Sequence, residues 1–547
     1  MSKIENYLNQ LGEELSVLNS FIHSEIGRLN SILPTTGDQF LSTDDCMLIV
    51  YADQFQSNDG KTPLQNLKLF LENELEGEIN HVHILPFFPW TSDDGFSPTD
   101  YKKVCSKNGS WEDIENLSSR TMFDCVFNHL SSQSTLFQKA LEGEEQYKKQ
   151  FHIVDHATYT NPSFQKNIEK VVRPRTSPLF SKYNIDGEPN YVWTTFSSDQ
   201  IDTNFSNPEM LKYILESFFL YLEKKATYFR IDAVPFLWKE FGTNCSHLEK
   251  THTIVKLLRA IADQVNGNII IVTESNVPHS ENISYWGDAD EAHLVYNFSL
   301  SPLILYSLFK QSNEAIHPWI NSVLQEIPKT CSFLNFTATH DGIGMRGLEG
   351  LVAEEEIYEL VSLAQRQGGQ IGWKKSRDGT KRPYELNCTW RSILDSDELN
   401  DLELKRKVIN SQSIVLFFPG ITGHYVHNFF GTENDQQGYI ESKIARRLNR
   451  KKLSYPPNPS EFTQPMLNWV RCKKNMHTSL PSASILSVQT DSRLLFLKKR
   501  LDDIEHWILF NLSSKDLQLN MEQREFKLMP YEMLVWDNTR SEIIHRY

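Results

Sequence analysis

An arginine and a carboxylate two residues apart, Arg230 and Asp232, close the β-rich run Thr227-Tyr228-Phe229-Arg230-Ile231-Asp232-Ala233-Val234. Side chains alternate along a strand, so the two lie on one face. A neighbouring guanidinium favours the ionised carboxylate, and an ionised, oriented carboxylate at a strand end suits a nucleophile. Taken alone, such a pair reads more readily as a structural ion pair. It gains meaning because other β-rich runs end in polar groups too. Residues 269–274 end in Glu274, residues 333–341 in His340-Asp341, and residues 122–129 contain Asp124 and end in Asn128-His129.

Stepping along the chain gives the elements that must hold these groups. β-rich runs are expected at 46–51, 82–88, up to 129, 227–233, 268–274, 293–298, 333–339 and 413–418, with helical patterns between most of them, such as 64–75, 209–224 and 253–265. Alternating strands and helices imply parallel βαβ units, and eight of them suggest a (β/α)8 barrel. In such barrels reactive residues sit at the C-terminal ends of strands, which is where these motifs fall. The interval between the third and fourth strands is too long for one crossover, so residues 131–200 are expected to form an inserted subdomain. Residues 1–45 read as a helical segment, with Leu8, Leu11, Leu15, Leu18 and Ile22 at helical spacing. The barrel would then occupy 46–130 and 201–477, and short strands with turns from 478 to 547 read as a C-terminal β-sandwich. Within a long excursion after the seventh strand, Gly368-Gly369-Gln370-Ile371-Gly372-Trp373-Lys374-Lys375 reads as a mobile loop.

The order of the motifs, RxD then E then HD with an upstream DxxxNH, resembles the α-amylase superfamily of retaining glycosidases and transglycosidases. Tyr51-Ala52-Asp53, the run from His83 to Pro89, the run from Gly95 to Tyr101, Arg173-Pro174-Arg175 and His340-Asp341-Gly342-Ile343-Gly344 are similar to the sucrose phosphorylase branch. Ser92-Asp93-Asp94-Gly95-Phe96, Trp193-Thr194-Thr195-Phe196-Ser197, the run from His247 to His252 and the run from Thr273 to His279 resemble most the subgroup of that branch that phosphorolyses glucosylglycerate. The resemblance implies Asp232 as nucleophile, Glu274 as general acid then base, and Asp341 as the third acid, binding the sugar's 2- and 3-hydroxyls. Retaining transfer sets two carboxyl groups ~5–5.5 Å apart. Glu274 must start protonated, so its pKa should be raised. His129 and His340 would contact the glucose, and Phe96 would wall it. Arg446 with Asp93 or Asp94 would close the pocket at the 4-hydroxyl; the acidic doublet leaves open which one. Arg175, second in the Arg-Pro-Arg motif, would hold phosphate, since arginine binds oxyanions bidentately.

The implied reaction is an α-glucoside plus phosphate giving α-glucose 1-phosphate and a freed acceptor. Glycerate is the first choice of acceptor; glycerol, fructose or fructose 6-phosphate stand behind it, as does a hydrolase of the α-glucosidase type. A glycerate carboxylate needs a cation, and Lys239, His247, Lys250 and His252, close in sequence to Asp232, are the candidates, with Lys239 first. No cofactor or metal is implied.

Composition fits this picture. Hydrophobic residues at 39%, with 11 Trp and 32 Phe, can fill a large core. A formal net charge of −15 argues against nucleic acid as a partner. The seven cysteines are dispersed without metal-ligand spacing, as expected of reduced thiols in a cytoplasmic protein. The start of the chain has no apolar signal core, and no run of ~18 apolar residues suggests a membrane span. Oligomeric state stays open, a homodimer among the options.

Overall fold

The computed structural model describes every residue except 1, 35–40, 76, 376–379 and 481. Its centre is a closed barrel of eight parallel strands: β1 (Cys46–Tyr51), β2 (His81–Leu85), β3 (Arg120–Cys125), β4 (Ala226–Ile231), β5 (Ile270–Thr273), β6 (Leu294–Tyr296), β7 (Ser332–Asn335) and β8 (Ile421–Tyr425). Neighbours follow chain order around the ring, and β8 closes on β1 with Cys46 opposite Thr422.

The barrel interior follows from two-residue alternation. Met47, Met122, Tyr228, Ile270, Val272, Leu294, Tyr296, Leu334 and Ile421 form one buried apolar cluster. Continuing the same faces toward the C-terminal strand ends gives Asp124 after Met122, Arg230 and Asp232 after Tyr228, and Glu274 after Val272. The lower rows are apolar, and the same rows become charged at the top.

The eighth strand differs from expectation. Residues 413–418 are not a strand: the helix Asp401–Ser413 runs into a 3-10 turn, Ile414–Phe417, and the strand starts only after Pro419-Gly420. Val408, Ile409 and Ile414 to Phe417 are all buried. A short apolar run on a fully buried helix end carries the same signature as a buried strand. The expected mobile loop also differs. Gln370–Lys375 is a strand paired antiparallel with Lys381–Asn387, which pairs in turn with Ile343–Gly344. The preceding Gly368, at φ 74, lies just past the C-terminus of the helix Glu354–Arg366, where left-handed backbone favours glycine.

Between β3 and β4 the chain forms four short helices and a three-stranded sheet, Ile153–Asp155, Glu188–Trp193 and Phe180–Ile185. His129–Ser131 pairs with Gln200–Asp202 at its base. The N-terminal helices Lys3–Leu11 and Asn19–Ile32 flank a 3-10 segment and bury Leu8, Leu11, Leu15, Leu18 and Ile22; residues 35–40 of the expected helical segment lie outside the described residues. The C-terminal region is a five-stranded antiparallel sheet and a separate two-stranded ladder. Among the described residues no helix is long and apolar enough to cross a membrane.

Candidate active site

Register brings the two central acids together. On β4 and β5, Arg230 lies opposite Val272 and Ile231 opposite Thr273, so Asp232 and Glu274 occupy the next rung. Backbone bonds carry the alignment past the strands: Glu274 N–H donates to Ile231 O (3.1 Å), Asp232 N–H to Cys125 O (3.2 Å) and Val234 N–H to Glu274 O (3.3 Å). Arg230 lies beneath, 1% exposed. It donates to Asp124 and to Asp232 Oδ1 (2.8 Å), and its Nη2 is 3.8 Å from Glu274 Oε2. Glu274 accepts from the Ala233 N–H at 3.1 Å. Asp124 is also bonded to His83 Nε2 at 2.7 Å.

Arg230 does lower the Asp232 pKa, as expected, but burial outweighs it. Burial pushes Asp232 well above the usual carboxylate range; Arg230 opposes that push, while Glu274, Asp124 and Asp341 add to it. Burial raises Glu274 as well, again against Arg230 and with Asp341. Neighbouring buried acids that influence each other titrate as an interacting pair. Arg230 bonds Asp232 directly and Glu274 only at longer range, so it favours the ionised form of Asp232 more than that of Glu274.

Asp341 stands on a tight hairpin beyond β7, where Thr339 and Gly342 exchange two backbone bonds of 3.0 Å. Gly342 has φ 78, and a Cβ there would sit 2.1 Å from Leu386 O, so only glycine fits. Arg446 Nη1 reaches Asp341 Oδ1 at 3.0 Å and both oxygens of Asp93 at 3.4 Å, while its Nη2 donates to both oxygens of Glu385 at 3.0 Å. Arg450 lies behind: Nε donates to His340 O (2.9 Å) and Nη1 to Asp93 (3.2 Å) and Asp94 (3.0 Å). Burial raises Asp341, but Arg446, His340, Arg450 and Arg230 outweigh it, and its pKa falls well below the ordinary value. Asp93 is likewise lowered against burial, by Arg446, Arg450 and Arg175.

These groups line a cavity of about 1080 Å3, at the upper end of the ~300–1,000 Å3 usual for small-molecule sites. Of the residues singled out from sequence, Asp232, Glu274, Asp341, Asp93, Phe96, His129, Arg175 and Arg446 are on its wall. The doublet divides: Asp93 faces the cavity, whereas Asp94 pairs with Arg447 (2.7 Å) and Arg450. Arg175 Nη1 is 3.5 Å from Glu385 Oε1, with its guanidinium over Tyr384 and Phe196. His129 spends both ring nitrogens on protein: Nε2 bonds Phe96 O (2.7 Å) and Nδ1 accepts from Asn128 Nδ2 (3.2 Å).

Three residues are elsewhere. Arg230 is under the acids. His340 is not on the wall: it stacks on Phe96, with centroids 5.1 Å apart and planes within 1°, and burial lowers it to about 3. A neutral ring there backs Phe96 and Asp341. Lys239, expected at the acceptor, is buried away from the cavity, with Nζ bonded to Asp202 (2.8 Å) and Asn128 Oδ1 (2.7 Å). It pins the base of the insert. Lys250 bonds Leu11 O (2.8 Å) and His252 bonds Glu291 (2.7 Å); of the four candidates only His247 lines the cavity. Other cations line the cavity: Arg173, quoted from sequence only as part of the Arg-Pro-Arg motif, and Arg346 and Lys374, which were not assigned to the site. Glu385 and Tyr384 were missed too. The one signal for these was the basic and aromatic content of the excursion after β7, which says nothing about direction.

A (β/α)8 barrel with two buried acids on neighbouring strand ends and a third acid held by arginines is the arrangement of a glycoside-transferring enzyme of the α-amylase type. The family model for the α-amylase catalytic domain matches residues 74–344. A glucosylglycerate phosphorylase of Escherichia coli (strain K12) is 44% identical over 412 residues, 75% of this chain and 72% of that one. A glucosylglycerate phosphorylase of Allomeiothermus silvanus is 41% identical over 419 residues, covering 76% and 73%. A sucrose phosphorylase of Bifidobacterium adolescentis is 27% identical over 436 residues, covering 77% and 82%. Among solved structures, a sucrose 6F-phosphate phosphorylase from Thermoanaerobacter thermosaccharolyticum shares the fold with a TM-score of 0.78 and 24% identity, covering 94% of this chain and 99% of that one. The chain belongs to the α-amylase family, in the branch that holds the glucosylglycerate and sucrose phosphorylases.

Proposed function

We propose that this enzyme is a retaining phosphorylase that converts 2-O-α-glucosylglycerate and phosphate to α-D-glucose 1-phosphate and glycerate. Protonated Glu274 donates to the glycosidic oxygen as glycerate leaves, and Asp232 attacks C1 from the other side, forming a β-glucosyl ester. Phosphate then displaces Asp232 from the face that glycerate left, and Glu274 serves as base where that oxygen carries a proton. Two inversions retain the α configuration. Asp341, held ionised, stabilises the oxocarbenium-like charge on the sugar. Asp93 and Arg446 bound the glucose, and Arg175 receives the phosphate. The observation that carries the reading is Arg175: an insert arginine stands in the same cavity as the acid pair, which hydrolysis by water does not require. The seven cysteines are free thiols, which fits a reducing cytoplasm. We read residues 131–200 as a separate subdomain roofing the site.

The test supplies glucose 1-phosphate with glycerate, glycerol or fructose and measures phosphate release. Glycerate is expected to lead by at least ~10-fold in kcat/KM, about 1.4 kcal/mol. Free glucose appearing at the same rate with or without any acceptor would mark a hydrolase instead.

A further inference from the structure

The Arg-Pro-Arg tripeptide places two arginines in the lining of the cavity, and their guanidinium groups are in different states. Arg175 is engaged, with Glu385 at 3.5 Å and the Tyr384 and Phe196 rings against it. Arg173 is not: its Nε and Nη2 are buried and have no hydrogen-bond partner among the described residues. No described carboxylate forms an ion pair with it. Glu169, on the same wall, is exposed and does not reach it. Burial alone acts on the Arg173 ionisation, lowering it, with no charge opposing.

The neighbourhood is built rather than loose. Val171, Leu179 and Phe180 around it belong to one apolar cluster of the insert. Val172 N–H donates to Asn244 O at 2.9 Å, and Ser177 Oγ donates to Phe196 O at 2.7 Å, tying the segment on both sides. Pro174 fixes the backbone between the two arginines. A partly buried guanidinium with two unpaired, buried nitrogens is costly unless a partner completes it, and a planar, two-oxygen anion matches its fork. The two cations not assigned to the site from sequence are already matched. Lys374 and Arg346 share the Glu349 carboxylate, at 2.7 and 3.4 Å.

We propose that Arg173 is a second oxyanion subsite of this cavity, separate from that of Arg175, and that it receives the carboxylate of the acceptor. The inference rests on the phosphorylase reading, in which both the acceptor and phosphate are oxyanions. It makes Arg173 a specificity residue for charged over neutral acceptors.

Arg173→Gln and Arg173→Lys test it, with glucose 1-phosphate as donor, glycerate and glycerol as acceptors, and the phosphate KM measured in the degradative direction. The glycerate-to-glycerol ratio of kcat/KM should fall ~10- to 100-fold in Arg173→Gln and less in Arg173→Lys, which keeps charge but loses the fork. A rise in phosphate KM of that size with an unchanged ratio would overturn the carboxylate assignment, since phosphate would then be the occupant. Equal losses on glycerate and glycerol, or no change in any of the three constants, would overturn the proposal. If Arg173→Gln does not fold, Arg173→Lys is read by the same measures. Should the wild type prefer glycerol, the glycerate reading fails by itself, and Arg173 is judged on the phosphate KM.

Discussion

The two ends of the cavity treat charge in opposite ways. Around the acid pair every cation is matched: Arg446 with Asp341, Asp93 and Glu385, Arg450 with Asp93 and Asp94, and Arg230 with Asp124 and Asp232. Asp93 and Asp94 even hold left-handed backbone, at φ 52 and 51, a conformation that costs energy outside glycine and persists where surroundings enforce it. Toward the insert, Lys374 and Arg346 share Glu349, Arg346 also lies 4.0 Å from Glu281, and no described carboxylate pairs with Arg173. On the proposed reading, the matched charges at one end would hold a neutral sugar, whose hydroxyls need fixed partners. Surplus positive charge at the other end waits for ligands that bring their own negative charge.

Breaking the matched end should have the largest effects. Asp232→Asn is expected to cut turnover on the order of 10⁴-fold, since the nucleophile is gone; near-normal rates in that variant would refute the assignment. Glu274→Gln should cost ~10²- to 10⁴-fold on glycerate, but a glucoside with a very good leaving group should still form the glucosyl-enzyme, detectable by mass spectrometry. Failure to do so would remove Glu274 as the acid. In the wild type the raised Glu274 gives an alkaline limb: activity falls as pH rises through its folded pKa, and that limb should be absent for the good leaving group.

Arg446→Ala leaves Asp93 and Asp341 to Arg450 and Glu385 to Arg175, and the lost contacts should cost ~1–3 kcal/mol of stability, read as a fall in Tm. Asp341 and Asp93 are depressed in the folded state. Their pairing therefore contributes in full above the unfolded carboxylate pKa of ~4 and is lost as pH falls toward the folded values. The gap in Tm between wild type and Arg446→Ala should be constant above pH ~5 and narrow in acid. A gap that widened in acid would mean that Arg446 acts through something other than these acids. The smallest effect sharpens the other end: Arg175→Ala should raise the phosphate KM by ~10- to 100-fold relative to hydrolysis of the glucosyl-enzyme, measured as phosphate-dependent against free-glucose release. Equal losses in both would make Arg175 a support of the sugar half.

What the sequence determined by itself is whatever the two-residue strand repeat enforces. That repeat is a property of the backbone, so Arg230 and Asp232 share a face wherever β4 is placed, and the acids at strand ends imply a barrel top. Tertiary structure decided the rest. Lys239 lies close to Asp232 along the chain yet turns to Asp202 and Asn128, because a loop side chain's direction is set by distant contacts. Glu385 reaches Arg446 only through the pairing of Lys381–Asn387 with its neighbours. The apolar residues 414–417 end a helix instead of forming β8, a choice that burial on all sides hides from periodicity. Charge followed the same division: an arginine beside Asp232 was readable, but the desolvation that outweighs it depends on how closely the whole barrel packs around that carboxylate.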